Sequence, residues 1–459
     1  MTPLWTSEEI AAAVGGKADG LFEVSGVTFD SREVGEGDLF IAMKGEATDG
    51  HRFLDKAFAA GAAGAIVSEP VPQPHVLVSD TNKALNDLGR ASRQRSHARI
   101  VGVTGSVGKT GTKEALFAAL DRAGPGRAHR SVKSYNNHTG VPLSLARMPR
   151  EARFGVFEMG MNHAGELSAL TQLVRPHVAI VTAIASAHRE FFTSEEAIAD
   201  AKGEIFEGLE EGGMALVPFD SLHRDRLIAA ARPYADNILT FGLGDGADIR
   251  ARDIVTSPRG GTLVTAVLPE VDLNFTLAPP GEHWISNALA VLGAVEALGG
   301  DLAAAGLALA ELEGLKGRGE RHRIILPAGE ALLIDESYNA NPASMRAVLK
   351  VLAAEKISGR RVAVLGSMRE LGPGSDAFHA ELAEPIQGAC VDYAILVGEE
   401  MAPLAKELGP KVKMEHVPDV ASALNLVRKF AAPGDAILVK GSNSIGLATL
   451  VEALASGGR

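Results

Sequence analysis

The stretch Val103-Thr104-Gly105-Ser106-Val107-Gly108-Lys109-Thr110 joins a predicted strand to a predicted helix through glycines and closes on Lys-Thr. The residues before it, Arg99 to Val103, read as a buried parallel strand, and Thr112 to Leu120 carry the apolar spacing of a helix. The glycine loop therefore sits at a helix N-terminus, where unpaired backbone N–H groups and the positive end of the macrodipole converge on an anion. Lys109 then reaches the β- and γ-phosphates of a nucleotide, and the Thr110 hydroxyl suits Mg²⁺. The general pattern puts its first glycine six positions before the lysine. This chain has Val103 there, and Gly105 takes over the role. A nucleoside triphosphate is the expected ligand, against the plainer reading of a strand-to-helix turn bearing a surface lysine.

Outward from this loop, strand signals at 155–158 and 178–181 alternate with helices, the rhythm of parallel β-α-β units with helices on both faces. Residues 1–80 read as a small α/β unit, and 81–322 as the central P-loop domain, closing in the Gly-rich Leu315 to Gly319. From 323 to 459 the rhythm restarts, with strands at 361–365, 393–397 and 436–439, and predicts a doubly wound, Rossmann-like third domain. A chain of 459 residues accommodates that division, and 46% hydrophobic with 22% charged residues allows each domain a core.

Composition also excludes function classes. A net charge of −12 disfavours a general nucleic-acid binder. Cys390 is the single cysteine, which rules out an internal disulfide or a cysteine metal cage and suits a reducing compartment. The first residues lack a signal-peptide pattern and no apolar run nears the length of a membrane span, so a cytoplasmic protein without membrane association is expected.

Mg²⁺ needs oxygen ligands, and Glu158 directly follows the apolar strand at 154–157, at the crevice end of a parallel sheet. A solvated strand-end acid is the alternative. His188 follows the strand 178–184 and could bind a second metal ion or a phosphate oxygen, although lone loop histidines are commonly plain surface residues. Lys202 looks like a helix-surface lysine. In the third domain Leu332-Leu333-Ile334 ends in Asp335, and Asn341-Pro342 reads as a helix N-cap followed by proline at the first helical position. Lys440-Gly441-Ser442-Asn443 follows a strand and opens a helix, a second anion-holding arrangement.

Taken in order, these segments resemble the Mur ligases, ATP-dependent amide-forming enzymes of bacterial wall-precursor synthesis. The likeness runs through 104–110, Tyr135-Asn136-Asn137, Glu158, Ala187-His188, Ala201-Lys202-Gly203-Glu204, His283 and Asn287, Gly317-Arg318, Asp335 and Lys440-Gly441-Ser442. Within the family, the runs at 335–342 and 366–372 are similar to the member that adds D-alanyl-D-alanine to UDP-N-acetylmuramoyl-tripeptide.

The resemblance implies three α/β domains: one for the UDP end of the substrate, one for ATP, and a closing C-terminal domain. It implies that Gly105, Ser106, Gly108, Lys109, Thr110, Gly111, His283, Asn287, Arg318 and Asp335 bind ATP. Thr110, Glu158, His188 and Lys202 would hold Mg²⁺, with Lys202 carried as a carbamate, and Lys109, His188 and Lys202 would serve catalysis. Ser31, Arg32, Asn136, Asn137, Tyr338, Asn339 and Asn341 would contact substrate, and a monomer is expected. The chain departs from the family in having Trp284 after His283 where an asparagine is usual, Ser367 where aspartate is frequent, and an altered segment at 189–192. A folylpolyglutamate synthase would lack the first domain, and a nucleotide switch would need no co-substrate.

Overall fold

The computed structural model describes residues 3–45, 48–186, 190–257, 261–326 and 328–456. Its central sheet is built around the strand Arg99–Thr104, which pairs in parallel with Phe154–Glu158 on one side and Val178–Val181 on the other. Ala128–Arg130 extends the first side, and Met214–Pro218, Asn237–Gly242 and Ile249–Thr256 extend the second, all in parallel register. Alternation along each strand sends side chains to opposite faces. Val101, Val103 and Val156 pack beneath the helices Lys109–Arg122 and Glu282–Ala297, whereas Ile100, Phe157 and Val181 pack against Gly140–Ala146, Glu166–Val174 and Glu195–Gly203. A sheet covered on both sides explains the unbroken apolar strands.

Two antiparallel strands, Thr262–Val267 and Asp272–Leu277, finish the far edge. This ribbon departs from the parallel β-α-β rhythm of the rest of the sheet.

The first domain holds a five-stranded sheet in the order Lys17–Asp19, His75–Leu77, Gly64–Val67, Asp38–Ile41 and Gly26–Thr28. The helix Thr81–Arg95, capped by Asp80, puts Ala84, Leu85 and Leu88 into that domain's core beside Leu143 and Ala146 of the central one. The helix bridges the two units, since Arg93 at its far end donates to Val174 O and Arg175 O of the central domain and pairs with Glu210. In the third domain Glu320–Leu326 pairs antiparallel with Gly329–Glu336, followed by parallel Ala436–Lys440, Arg361–Gly366, Tyr393–Val397 and Lys413–Val417. A limit at 322 falls inside the first of these strands. Among the described residues no helix is long and apolar enough to cross a membrane.

Candidate active site

The loop after Arg99–Thr104 is held open by its own chain. Gly105 has φ +148°, and a Cβ there would lie 2.0 Å from Thr182 Oγ1. That hydroxyl sits 2.5 Å from the Val107 carbonyl and 3.1 Å from that of Thr104. Ser106 is fixed to the same side, its N–H donating to Ala183 O and its hydroxyl to Ala185 O. Gly108 caps the helix Lys109–Arg122 without a side-chain acceptor, which leaves first-turn N–H groups for an anion. Lys109 curls back over the loop, Nζ 2.6 Å from Gly105 O. Burial lowers its pKa, Arg318 adds to the effect, and Glu158 opposes it.

Glu158 is buried at the crevice end of its strand, as the sequence placed it. Its Oε2 accepts the Thr110 hydroxyl at 2.8 Å and its Oε1 accepts Asn136 Nδ2 at 2.8 Å. Two hard oxygens beside a phosphate cradle fit Mg²⁺. Lys202 is only 1% exposed, which corrects the helix-surface reading. Its ammonium is strongly disfavoured by burial and by Lys109, with Glu204 opposing. His188 lies outside the described residues.

The third domain closes the other wall. Arg318 stacks 4.1 Å above the Tyr338 ring, and its guanidinium reaches Ser134 Oγ of the central domain at 3.4 Å. Lys440 donates to Asn339 O at 2.9 Å and faces Glu336 at 3.6 Å. Burial raises the Glu336 pKa, against the pull of Lys440 and Arg318. Asn341 makes the expected cap, accepting Ser344 N–H at 2.9 Å, and also lines the cleft. The cleft encloses about 460 Å³. Lys109, Lys202, Arg318 and Lys440 line it against Glu158 and Glu336, an arrangement suited to a polyanion carrying metal. His283, Trp284 and Asn287 enter from the helix Glu282–Ala297, and Gly111 touches the Trp284 ring.

Some expected contacts stand apart. Asp335 opens on a neighbouring cavity, where its carboxylate accepts Gly317 N–H, Ser337 N–H and the Ser337 hydroxyl, and so fastens the interdomain turn. Glu320 and His322 bring ligand atoms to within 4.8 Å of it and of each other. Asn137 does not line the cleft; its Oδ1 accepts from Thr139 and Gly140 and builds the turn into the next helix. Ser31 and Arg32 lie on the first domain. Arg32 is exposed and pairs with Asp30 at 2.6 Å, holding that carboxyl at about 2.

Three further residues shape the site. Thr182 shapes the loop, Glu336 lines the cleft, and Lys113 is fully buried, donating to Ser131 O at 2.9 Å and Lys133 O at 2.8 Å. Thr182 and Glu336 carried a usable signal, since each is a polar residue at a strand's crevice end. Lys113, among polar neighbours on a helix, carried none.

Comparison with known proteins bears on this geometry. Residues 23–95 match the Mur ligase family catalytic domain, 103–295 the Mur ligase middle domain, and 317–443 the Mur ligase glutamate ligase domain. UDP-N-acetylmuramoyl-tripeptide–D-alanyl-D-alanine ligase of Escherichia coli K12 is 37% identical over 448 residues, spanning 94% of each chain. This chain belongs to the Mur ligase family. Among solved Mur ligases, MurF from Acinetobacter baumannii is similar with a TM-score of 0.84 at 32% identity, covering 98% of this chain and 99% of that one. MurF from Thermotoga maritima in complex with ADP superposes at a TM-score of 0.78 and 27% identity, covering 94% and 97%. The three-domain α/β architecture expected from the sequence is the one found.

Proposed function

We propose that this Mur ligase joins D-alanyl-D-alanine to UDP-N-acetylmuramoyl-tripeptide, with ATP converted to ADP and phosphate. The observation that carries the reading is full-length similarity to D-alanyl-D-alanine-adding ligases together with a phosphate cradle facing a second, cation-lined domain. A carboxylate does not condense with an amine at neutral pH, because oxide is not a viable leaving group. The tripeptide's terminal carboxylate therefore attacks the γ-phosphorus, ADP departs, and an acyl phosphate remains. The uncharged amine of D-alanyl-D-alanine attacks the acyl carbon, phosphate leaves with the C–O bond, and the amine proton passes to solvent.

Lys109 and the first-turn N–H groups balance charge on the transferred phosphoryl group. Thr110, Glu158 and a carbamylated Lys202 are the assigned Mg²⁺ ligands, and His188 remains an expected one. Mg²⁺ bound there would neutralise phosphate charge and fix the triphosphate's orientation. Carbamylation needs a neutral amine to attack CO₂ with loss of a proton, and the lowered Lys202 pKa favours that form. Asn287 and Arg318 are assigned to ATP, with Asp335 fastening the turn that carries Arg318, Asn136, Tyr338, Asn339 and Asn341 to the peptide substrates, and Ser31 and Arg32 to the uridine diphosphate. The turn-building role of Asn137 argues against direct substrate contact. Soluble nucleotide-linked substrates support a cytoplasmic location, and closure of the third domain on ligand is expected because the cleft's two walls come from different domains.

Steady-state ADP release measured with each co-substrate omitted in turn, and mass spectrometry of the product, test this reading. Dependence on both substrates and a product heavier by one dehydrated dipeptide are expected. ADP release indifferent to D-alanyl-D-alanine would refute ligation.

A further inference from the structure

The phosphate-binding helix carries a glycine in its first turn, Gly111, with helix on both sides. An interior glycine weakens a helix, so something else holds it there. A Cβ at Gly111 would lie 2.8, 3.3 and 3.5 Å from Cη2, Cζ2 and Cζ3 of Trp284. The indole six-membered ring thus occupies the space that any larger side chain would fill. Glycine and tryptophan form one packed unit across two helices.

That unit stands beside the phosphate cradle. Trp284 lines the same cleft as Ser106, Gly108 and Lys109, and one turn along its helix Asn287 comes within 3.2 Å of a Cβ built on Gly108. The indole is only partly buried, so part of it faces the cavity. Tyr338, the aromatic opposite, already has the Arg318 guanidinium over its ring. Among the described residues that line the cleft, Trp284 presents the broadest aromatic ring system, beside His283 and Tyr338, next to the glycine loop. Purines stack on indoles through their π-faces, and such stacking tolerates the loss of specific hydrogen bonds.

We infer that Trp284, seated on Gly111, is a nucleotide-specificity residue whose indole stacks on the adenine of ATP. The inference rests on the ATP reading above and adds to it the group that reads the base. Phosphates are held by the loop, and Trp284 supplies the preference for a nucleoside triphosphate over a bare polyphosphate.

Calorimetric titration of the full chain with Mg-ATP and with magnesium tripolyphosphate separates the two roles. Trp284→Leu, which keeps apolar bulk against the helix, is expected to weaken ATP by about tenfold or more, with tripolyphosphate changed less than about twofold, as loss of one base stack implies. Trp284→Phe should retain most of the ATP affinity. Indole fluorescence should be quenched by ATP but not by tripolyphosphate in the parent chain, and that quench should vanish in Trp284→Phe, where Trp5 is the only indole left.

Gly111→Ala should impair ATP binding far more in the parent than in a Trp284→Leu background, because the clash exists only with the indole. Equal weakening of ATP and tripolyphosphate by Trp284→Leu would show a packing role and overturn the inference, as would a quench surviving in Trp284→Phe. Failure of the parent chain to bind either ligand would sink the ATP reading itself.

Discussion

Gly105→Ala tests the cradle at its tightest point. The added Cβ would stand 2.0 Å from Thr182 Oγ1 and 3.1 Å from Ala183 N, whereas unstrained contacts need about 3.5 Å, so the two sides must part by roughly 1.5 Å. Thr182 does not yield freely, because its hydroxyl is bonded to Val107 O at 2.5 Å. Losing that bond costs about 1 kcal/mol, and holding alanine at φ +148° costs about 1–3 kcal/mol more. A total of about 2–4 kcal/mol lowers the melting temperature of a domain this size by roughly 5–15 °C.

The functional cost is expected to be larger. A loop displaced by about 1 Å at the transferring phosphoryl group loses about 100-fold in kcat/KM for ATP. Adding Thr182→Ala removes the closest clash but not the backbone strain, so the double variant should recover part of the melting temperature. Calorimetry and ADP-release kinetics on both variants read these values. Parental stability and kcat/KM in Gly105→Ala, or a double variant no more stable than the single one, would refute the packing argument.

Lys109→Met is expected to abolish ADP formation with the circular dichroism spectrum unchanged; retention of most turnover would remove Lys109 from the mechanism. The same variant tests the buried charge. The folded-state pKa of Lys109 lies below its ordinary 10.5, so the unfolded chain binds more protons between those values and the ligand-free protein gains stability as pH rises through that window. The rise in melting temperature as pH climbs toward 10.5 should be shallower in Lys109→Met, and identical slopes would contradict the burial effect. Lys202→Ala should lose activity that bicarbonate does not restore and short carboxylates partly do, whereas full activity would discard the carbamate. Small-angle scattering should show compaction with ATP analogue and both substrates bound; an unchanged profile counts against closure.

The central fold was legible because its signals are local. Val101 and Val103 with the following glycine loop, and the repeated apolar strands of the third domain, report burial on both faces of a parallel sheet. Glu158 was legible for the same reason, since a strand end fixes where the next side chain emerges. Lys202 was not. Its helix, Glu195–Gly203, shows alanines and charges in sequence, and only packing against the central sheet reveals that the lysine points inward.

Lys113 escaped similarly: besides pairing with Glu114 at 2.8 Å it donates to the backbone carbonyls of Ser131 and Lys133, which no side-chain pattern advertises. Asn341 read correctly as a cap, but its second surface, toward the cleft, depends on how the third domain meets the second. Which unit helix Thr81–Arg95 and strand Glu320–Leu326 pack with depends on long-range partners, from both domains in the case of the helix.

The most direct test of activation by phosphorylation follows the oxygen. When the tripeptide's terminal carboxylate is labelled with ¹⁸O and turned over with ATP and D-alanyl-D-alanine, the phosphate released is expected to carry one labelled oxygen, transferred through the acyl phosphate. Phosphate bearing no label, alongside normal product, would contradict the account.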